Sequence, residues 1–295
     1  MSSDSQSTRP NDSSGMAIVL AAHGSSAHEY CNQPLFETAK LLKESTGLNE
    51  VTPAFLDGEP NVRTVLQDLD ADNVLVIPFM ASDGYYSNFV FPREMEAGNK
   101  QVKFANAIGS HPNVVQVVAE RLNSTIKEHC SNGSDVQEVS REDLTLLFVG
   151  HGTRKNKNSC RSMINLVKEL RPQFSTVDIL FAFIDQNPAV DLIASRLTSR
   201  QVIVVPFMMG MGPHVTEDVP TALGLTPISS WSSASERKPL VKSASSDGER
   251  QVEFIYDLPF GIWPELQQIC HSIYSRATGQ ADAGTEGSKS STMEI

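Results

Sequence analysis

The sequence has little of several things that would classify a protein quickly. It has no long apolar run: the most hydrophobic stretch, Val202 to Gly212, covers about eleven residues and is interrupted by Pro206, whereas a spanning helix needs roughly twenty. No membrane-spanning helix is expected. It has no basic excess, with 24 Lys and Arg against 35 Asp and Glu and a formal charge of −11. The molecule as a whole therefore repels polyanions, which argues against general nucleic-acid or anionic-membrane binding. An anionic ligand needs a local cluster of cations. Cysteine is scarce: Cys31, Cys130, Cys160 and Cys270 lie far apart and form no CxxC pair, unlike the usual spacings of structural zinc and iron–sulfur sites. They read as reduced thiols of a cytosolic protein. The first fifteen residues hold one Arg and no apolar core, matching neither a secretory signal nor a transit peptide, so a cytoplasmic address is expected.

What the chain does have is a repeat. Displaced by 128 residues, it matches itself without a gap for seventy positions. His23-Gly24-Ser25 falls on His151-Gly152-Thr153, Ala54-Phe55-Leu56-Asp57 on Ala182-Phe183-Ile184-Asp185, and Val76-Ile77-Pro78-Phe79-Met80 on Val204-Val205-Pro206-Phe207-Met208. The expected organisation is a disordered tail at 1–15, one unit at 16–130, a polar linker at 131–142, a second unit at 143–277 and a disordered tail at 278–295. The second unit carries an insertion at about 226–250, rich in serine and read as a mobile surface loop or lid.

Within each unit short apolar runs alternate with amphipathic segments of helical length. Ala17–Ala22, Val51–Leu56, Val74–Met80 and Val102–Ile108 read as strands, with counterparts at Leu144–Val149, Val177–Ile184, Val202–Met208 and Val252–Leu258. Gln33–Ser45, Val114–Glu128, Ser159–Leu170 and Pro264–Arg276 repeat apolar residues at helical spacing. Strands without polar alternation, separated by helices, imply α/β units with mostly parallel, doubly wound sheets. Ligands in such folds sit at the carboxyl ends of the strands, where both His-Gly motifs fall.

His151 follows the first strand of the second unit, His214 follows its third, and Asp185 ends its second. Imidazoles are ligands for borderline divalent metals and bases near neutral pH, so three such groups at neighbouring strand ends form a candidate site. The plainer alternative is that each histidine satisfies a backbone group in its turn. In the first unit His23 and Asp57 remain, but Tyr86 replaces the second histidine; His28 is either a compensating ligand or a solvated loop residue. Arg154, Lys155, Lys157 and Arg161 place four cations in eight positions with no acid among them, as recognition of a polycarboxylate requires; otherwise they are a solvated loop before a helix. Gly210 and Gly212 allow close approach to a ligand or positive φ. Tyr86, Phe89 and Phe91 offer a flat apolar wall or are core. Thr216 is a candidate N-cap of a helix, with Glu217 and Asp218 either favouring its dipole or serving the site.

The segment Leu146 to Arg154 followed by Asn158, together with Val205-Pro206-Phe207 leading into Gly212-Pro213-His214-Val215-Thr216-Glu217-Asp218-Val219-Pro220, resembles the class II chelatases of the sirohydrochlorin cobaltochelatase/ferrochelatase (CbiX/SirB-like) family. The resemblance implies a chelatase-like fold that inserts Co²⁺ or Fe²⁺, with Ni²⁺ also open, into sirohydrochlorin without ATP or an organic cofactor, for cobalamin or sirohaem synthesis. It implies that His151 and His214 bind the metal and accept pyrrole protons, with an acid at or near Asp185 assisting; His23, at the matching position of the first unit, is expected to be a further metal residue. Arg154, Lys155, Lys157, Arg161, Gly212 and Tyr86 are then expected to hold the tetrapyrrole. The sequence departs from the expected pattern in keeping its complete histidine pair in the second copy instead of the first. Duplication within one chain also suggests a monomer. The rivals are a tetrapyrrole or metal carrier on the same scaffold, and a phosphohydrolase or mutase. The latter is disfavoured because Ala22 and Gly150 stand where an Arg-His-Gly phosphate site would want arginine.

Overall fold

The computed structural model describes residues 15–28, 31–130, 139–152, 160–228, 239–246 and 250–279. The first unit runs β1 (Met16–Ala22), α1 (Gln33–Thr46), β2 (Glu50–Phe55), β3 (Asn73–Pro78), α2 (Phe91–Glu94), β4 (Gln101–Phe104) and α3 (Val114–His129). The second runs β5 (Leu144–Gly150), α4 (Arg161–Leu170), β6 (Asp178–Phe183), α5 (Val190–Ala194), β7 (Gln201–Pro206), α6 (Val219–Ala222), β8 (Leu240–Ser246), β9 (Arg250–Tyr256) and α7 (Leu266–Thr278). The first sheet has the parallel order β2-β1-β3-β4 and the second repeats it as β6-β5-β7-β9. Duplication is thus present in topology as well as in sequence.

The match extends to single hydrogen bonds. Phe79 N–H donates to Ala21 O at 2.7 Å and Phe207 N–H to Val149 O at 2.7 Å; Asp57 N–H donates to His23 O at 2.9 Å and Asp185 N–H to His151 O at 3.0 Å. These bonds fasten the turn after the first strand to the ends of the second and third. Gly24 and Gly152 have φ of 74° and 73°, and a Cβ there would come within 2.7 Å of Asp57 O in one unit and of the Gln186 side chain in the other. The glycine of each His-Gly pair therefore belongs to the turn itself, in the left-handed region where only glycine is unstrained.

Residues 229–238 and 247–249 of the insertion, like 1–14, 131–138 and 280–295 of the expected tails and linker, lie outside the described residues, but one part of the insertion differs from the expected loop. Leu240–Ser246 is β8, antiparallel to β9 at the sheet edge. Its Ser- and Lys-containing sequence, which hid it, suits an edge strand with one solvated side. The first unit's fourth strand ends at Phe104, short of the expected Ile108, because the chain turns into a 3₁₀ segment at Ile108–Ser110.

Alternation along β1 divides the core. Ile18 and Leu20 face a large apolar cluster that continues through both sheets of the molecule, whereas Ala17, Val19 and Ala21 face a smaller cluster with Val65, Leu66, Phe91 and Met95. The last helix of each unit is exchanged: α7 packs against α1 and β3 of the first unit, and α3 against α4 of the second. Helical spacing explains the faces used, with Val114, Val117, Val118, Leu122 and Ile126 buried on α3 and Leu266, Ile269, Cys270, Ile273 and Tyr274 on α7.

One charged cluster fastens this exchange. Arg121 on α3 donates from Nη2 to Asp257 Oδ1 at 2.6 Å and from Nε to Oδ2 at 3.1 Å, reaches Glu265 at 3.3 Å, and lies 5.3 Å from the centre of the Trp263 ring. Asp257, just after β9, is wholly buried. Burial raises its carboxyl above the ordinary range, and the bonds from Arg121 oppose that shift.

Candidate active site

Three strand ends of the second unit deliver the site. His151 follows β5 and Asp185 follows β6, while His214 begins a helical turn shortly after β7. The two imidazole rings stand perpendicular with centroids 4.6 Å apart. His151 Nδ1 is 2.8 Å from Gly152 O and 3.3 Å from Asp185 Oδ2. A carbonyl oxygen only accepts, so the tautomer that satisfies this contact has its proton on Nδ1 and presents the Nε2 lone pair. His214 Nδ1 is 2.5 Å from Asp218 Oδ2, which selects the same tautomer. Both rings are thus fixed through one nitrogen and leave the other for chemistry, the arrangement in which second partners orient metal-ligating histidines.

Sequence reasoning left Asp218 between a helix-dipole role and a functional one, and did not pair it with His214. The helix does not begin at a Thr216 cap. It begins at His214 as a π turn, His214–Asp218, closed by Val219 N–H donating to His214 O, and passes directly into α6. Pro220 explains the distortion: it has no N–H for the Thr216 carbonyl and its ring crowds that oxygen, which instead accepts from Ile228 N–H at 2.7 Å. The first unit repeats the π turn at Tyr86–Val90, before Pro92. A proline six residues past the aligned position was therefore the available signal in both copies. Four residues along this turn the Asp218 carboxylate meets the His214 ring. The aligned first-unit residues are Tyr86 and Val90, so histidine and carboxylate are absent together.

A cavity of about 400 Å³ opens between the units and is lined by His151 and His214 on one side and by Ser25, His28 and Cys31 on the other. Its volume lies within the range of small-molecule sites. Met80, Met163, Phe183, Phe207, Met208 and Met209 contribute an apolar surface. Gly212 also lines it; neither Gly212 nor Gly210 has positive φ, which removes that reason for their presence, and the space beside Gly212 is open. His28 faces this cavity from the first unit. His23 does not join the histidine pair: it lines an adjoining cavity of about 160 Å³ and its ring meets Tyr86 edge-on at 5.2 Å. The Ser26 side chain and then its backbone hold Asp57 below the usual carboxylate range, with His23 a lesser influence.

Of the expected cationic patch, Arg161 opens α4 and is exposed, while Arg154, Lys155 and Lys157 lie outside the described residues. Phe91 is core, whereas Tyr86 and Phe89 are exposed. The four cysteines form no disulfide. Burial pushes the Cys130 and Cys270 thiols up to about 12, away from the low values of reactive cysteines. Among the described residues no three His, Cys, Asp or Glu side chains are arranged to enclose a metal ion, and no helix is long and apolar enough to cross a membrane.

Two parallel α/β units meeting at their strand ends over a shared cleft make this a chelatase-like protein. A multi-domain protein of Deinococcus radiodurans with structural similarity to chelatases superposes with a TM-score of 0.64 at 19% identity, over 88% of this chain and 55% of that one. The present chain thus spans about half of that protein's length. The sirohydrochlorin chelatase SirB of Bacillus subtilis subspecies spizizenii, solved in complex with cobalt, superposes with a TM-score of 0.61 at 14% identity, over 90% and 96% of the two chains. In sequence, a probable sirohydrochlorin cobaltochelatase of Halobacterium salinarum (strain ATCC 700922 / JCM 11081 / NRC-1) is 27% identical over 228 residues, covering 69% of this chain and 75% of that protein. The CbiX family model matches residues 17–125 and 145–277, and the chain belongs to the CbiX family.

Proposed function

We propose that the protein inserts a divalent metal, Co²⁺ or Fe²⁺ with Ni²⁺ also chemically suited, into sirohydrochlorin or a similar carboxylated tetrapyrrole, working from its second unit. It does so without ATP or an organic cofactor, as a monomer in the cytoplasm, and serves cobalamin or sirohaem synthesis. The observation that carries this reading is the perpendicular His151–His214 pair at an interunit cavity, each ring held through Nδ1. Insertion exchanges one divalent cation for two pyrrole protons, so the site must hold the incoming metal and receive protons at the same place. Two Nε2 lone pairs meet both needs, because neutral imidazole binds borderline metals and titrates near neutrality. Asp185 and Asp218 act as positioning residues that favour imidazolium once a proton has arrived. The methionine and phenylalanine surface suits a macrocycle face, and Arg154, Lys155, Lys157 and Arg161 meet its carboxylates. Gly212 leaves room for the ring and Tyr86 borders it from the first unit, with His23 a subsidiary metal contact there.

Loss of the second histidine from the first unit favours one rival: a carrier that holds metal or pigment without turnover. An anaerobic assay separates the two. Purified protein is mixed with sirohydrochlorin and Co²⁺ or Fe²⁺, and the pigment absorbance is followed against a protein-free control. Acceleration lost in His151→Ala or His214→Ala but retained in His23→Ala is the expected result. Binding without acceleration establishes the carrier, and full activity in His214→Ala refutes the site.

A further inference from the structure

The first unit's π turn has lost the histidine and the carboxylate but has gained aromatic surface. Tyr85, Tyr86 and Phe89 stand where the second unit has Pro213, His214 and Glu217, and are 56%, 38% and 66% exposed. They are three of the seven large hydrophobic side chains exposed among the described residues, so this turn is a concentrated apolar patch and not the scatter of single residues that any surface shows. The rings of Tyr85 and Phe89 lie 6.1 Å apart and only 30° from parallel, and Tyr85 meets Tyr86 edge-on at 5.8 Å. The series continues through Tyr86 to His23 at 5.2 Å. The cavity that His23 lines shares Gly24, Cys31 and Met80 with the larger one.

Two exposed guanidinium groups stand beside this turn in a protein of formal charge −11. Arg93 and Arg63 both bond Glu94 at 2.7 Å and are 67% and 55% exposed at their side chains. Arg93, and then Arg63, hold the Glu94 carboxyl below its ordinary range, so the trio carries one net positive charge. Glu94 and, after it, Tyr85 favour the charged form of Arg93. Rings at the surface with exposed guanidinium groups at their edge suit a flat conjugated ligand bearing carboxylate arms.

The geometry points to a second, non-catalytic site on the first unit, at which Tyr85 and Phe89 stack the face of a carboxylated tetrapyrrole and Arg93 meets one of its carboxylates. This rests on the chelatase reading for the ligand's class and adds a holding site outside the catalytic cleft. The degenerate copy thereby keeps a role, since the turn that no longer holds metal holds pigment near the cleft.

The test uses the full chain and metal-free uroporphyrin I as the probe, titrated by fluorescence polarisation. Wild-type protein should show a second binding event, which Tyr85→Ala/Phe89→Ala weakens by about tenfold, the scale of lost aromatic stacking. Arg93→Gln should weaken the same event by about threefold, as an exposed ion pair does. Circular dichroism checks that the variants are folded. A single event untouched by these substitutions overturns the proposal. So does a change in sedimentation coefficient in Tyr85→Ala/Phe89→Ala without a change in probe binding, which would make the patch a contact between copies. Failure of metal insertion in the wild-type assay above is read separately, and refutes the chelatase reading whatever the polarisation shows.

Discussion

Replacing Arg121 by methionine keeps most of the aliphatic volume on α3 and removes the charge, leaving Asp257 wholly buried beside an apolar side chain. The wild-type carboxylate has two bonds from Arg121, at 2.6 and 3.1 Å, and one from Leu258 N–H at 2.7 Å; the variant retains only the last. Breaking a buried pair from one side costs about 3–5 kcal/mol, and loss of the guanidinium from its place beside Trp263 adds about 0.5–1 kcal/mol. This is a large share of the roughly 5–15 kcal/mol that holds a typical domain together. Urea unfolding followed by far-UV circular dichroism should therefore show a marked fall in midpoint for Arg121→Met. The pH dependence has a definite sign. Burial already raises the folded Asp257 carboxyl, and removing Arg121 raises it further. A group with a raised folded pKa contributes stability that is present at low pH and lost as pH rises through that value. The deficit of the variant should thus be greatest near neutrality and shrink on acidification. Adding Asp257→Asn, which removes the charge but keeps an oxygen for Leu258, should recover most of the loss. A loss below about 1 kcal/mol in the single variant, or a double variant as unstable as the sum of the singles, would refute the idea that this pair locks the units together.

Asp218→Ala should reduce metal insertion by about 10–100-fold, the usual effect of removing a partner that orients a metal-binding histidine, while leaving the urea midpoint unchanged because Asp218 is half-exposed. Asp218→Asn, which can still accept from Nδ1, should retain more activity than the alanine variant. Gly261→Ala should destabilise by about 3 kcal/mol, since the added Cβ would lie 2.3 Å from the Met209 backbone. Gly212→Ala, with nothing within 4 Å of its Cβ, should unfold at the wild-type temperature, and differential scanning calorimetry of the two variants tests the contrast.

The strands were legible because those buried on both faces of a parallel sheet read as unbroken apolar runs, and the 128-residue register located their carboxyl ends in both copies. His151, His214 and Asp185 followed from that placement. The His214–Asp218 pairing did not, because it depends on a π turn, and an acidic residue four positions after a histidine equally suits an ordinary helix dipole. Strand β8 was hidden by serines that alternate too weakly to mark a buried face. Nor did anything local indicate that Arg121 meets Asp257, a contact made across the two units and 136 residues of sequence. Past the insertion, the pairing of the fourth strands sets Gln101 against Glu253; in that register the counterparts of Arg121 and Asp257 are Ile273 and Ala105, which carry no charge, so the repeat gave no second example from which to infer it.

The exchange of α3 and α7 governs how the cleft can move. In proteins whose two lobes close on a ligand like jaws, each lobe keeps its own core and a few connecting residues bend. Here each lobe is roofed by the other's final helix over one continuous apolar cluster, so opening the jaws would tear that cluster. The gap between the lobes is therefore a fixed gauge, which, on the proposed function, a macrocycle must fit by its own thickness. Passage in and out falls to the turns at the rim.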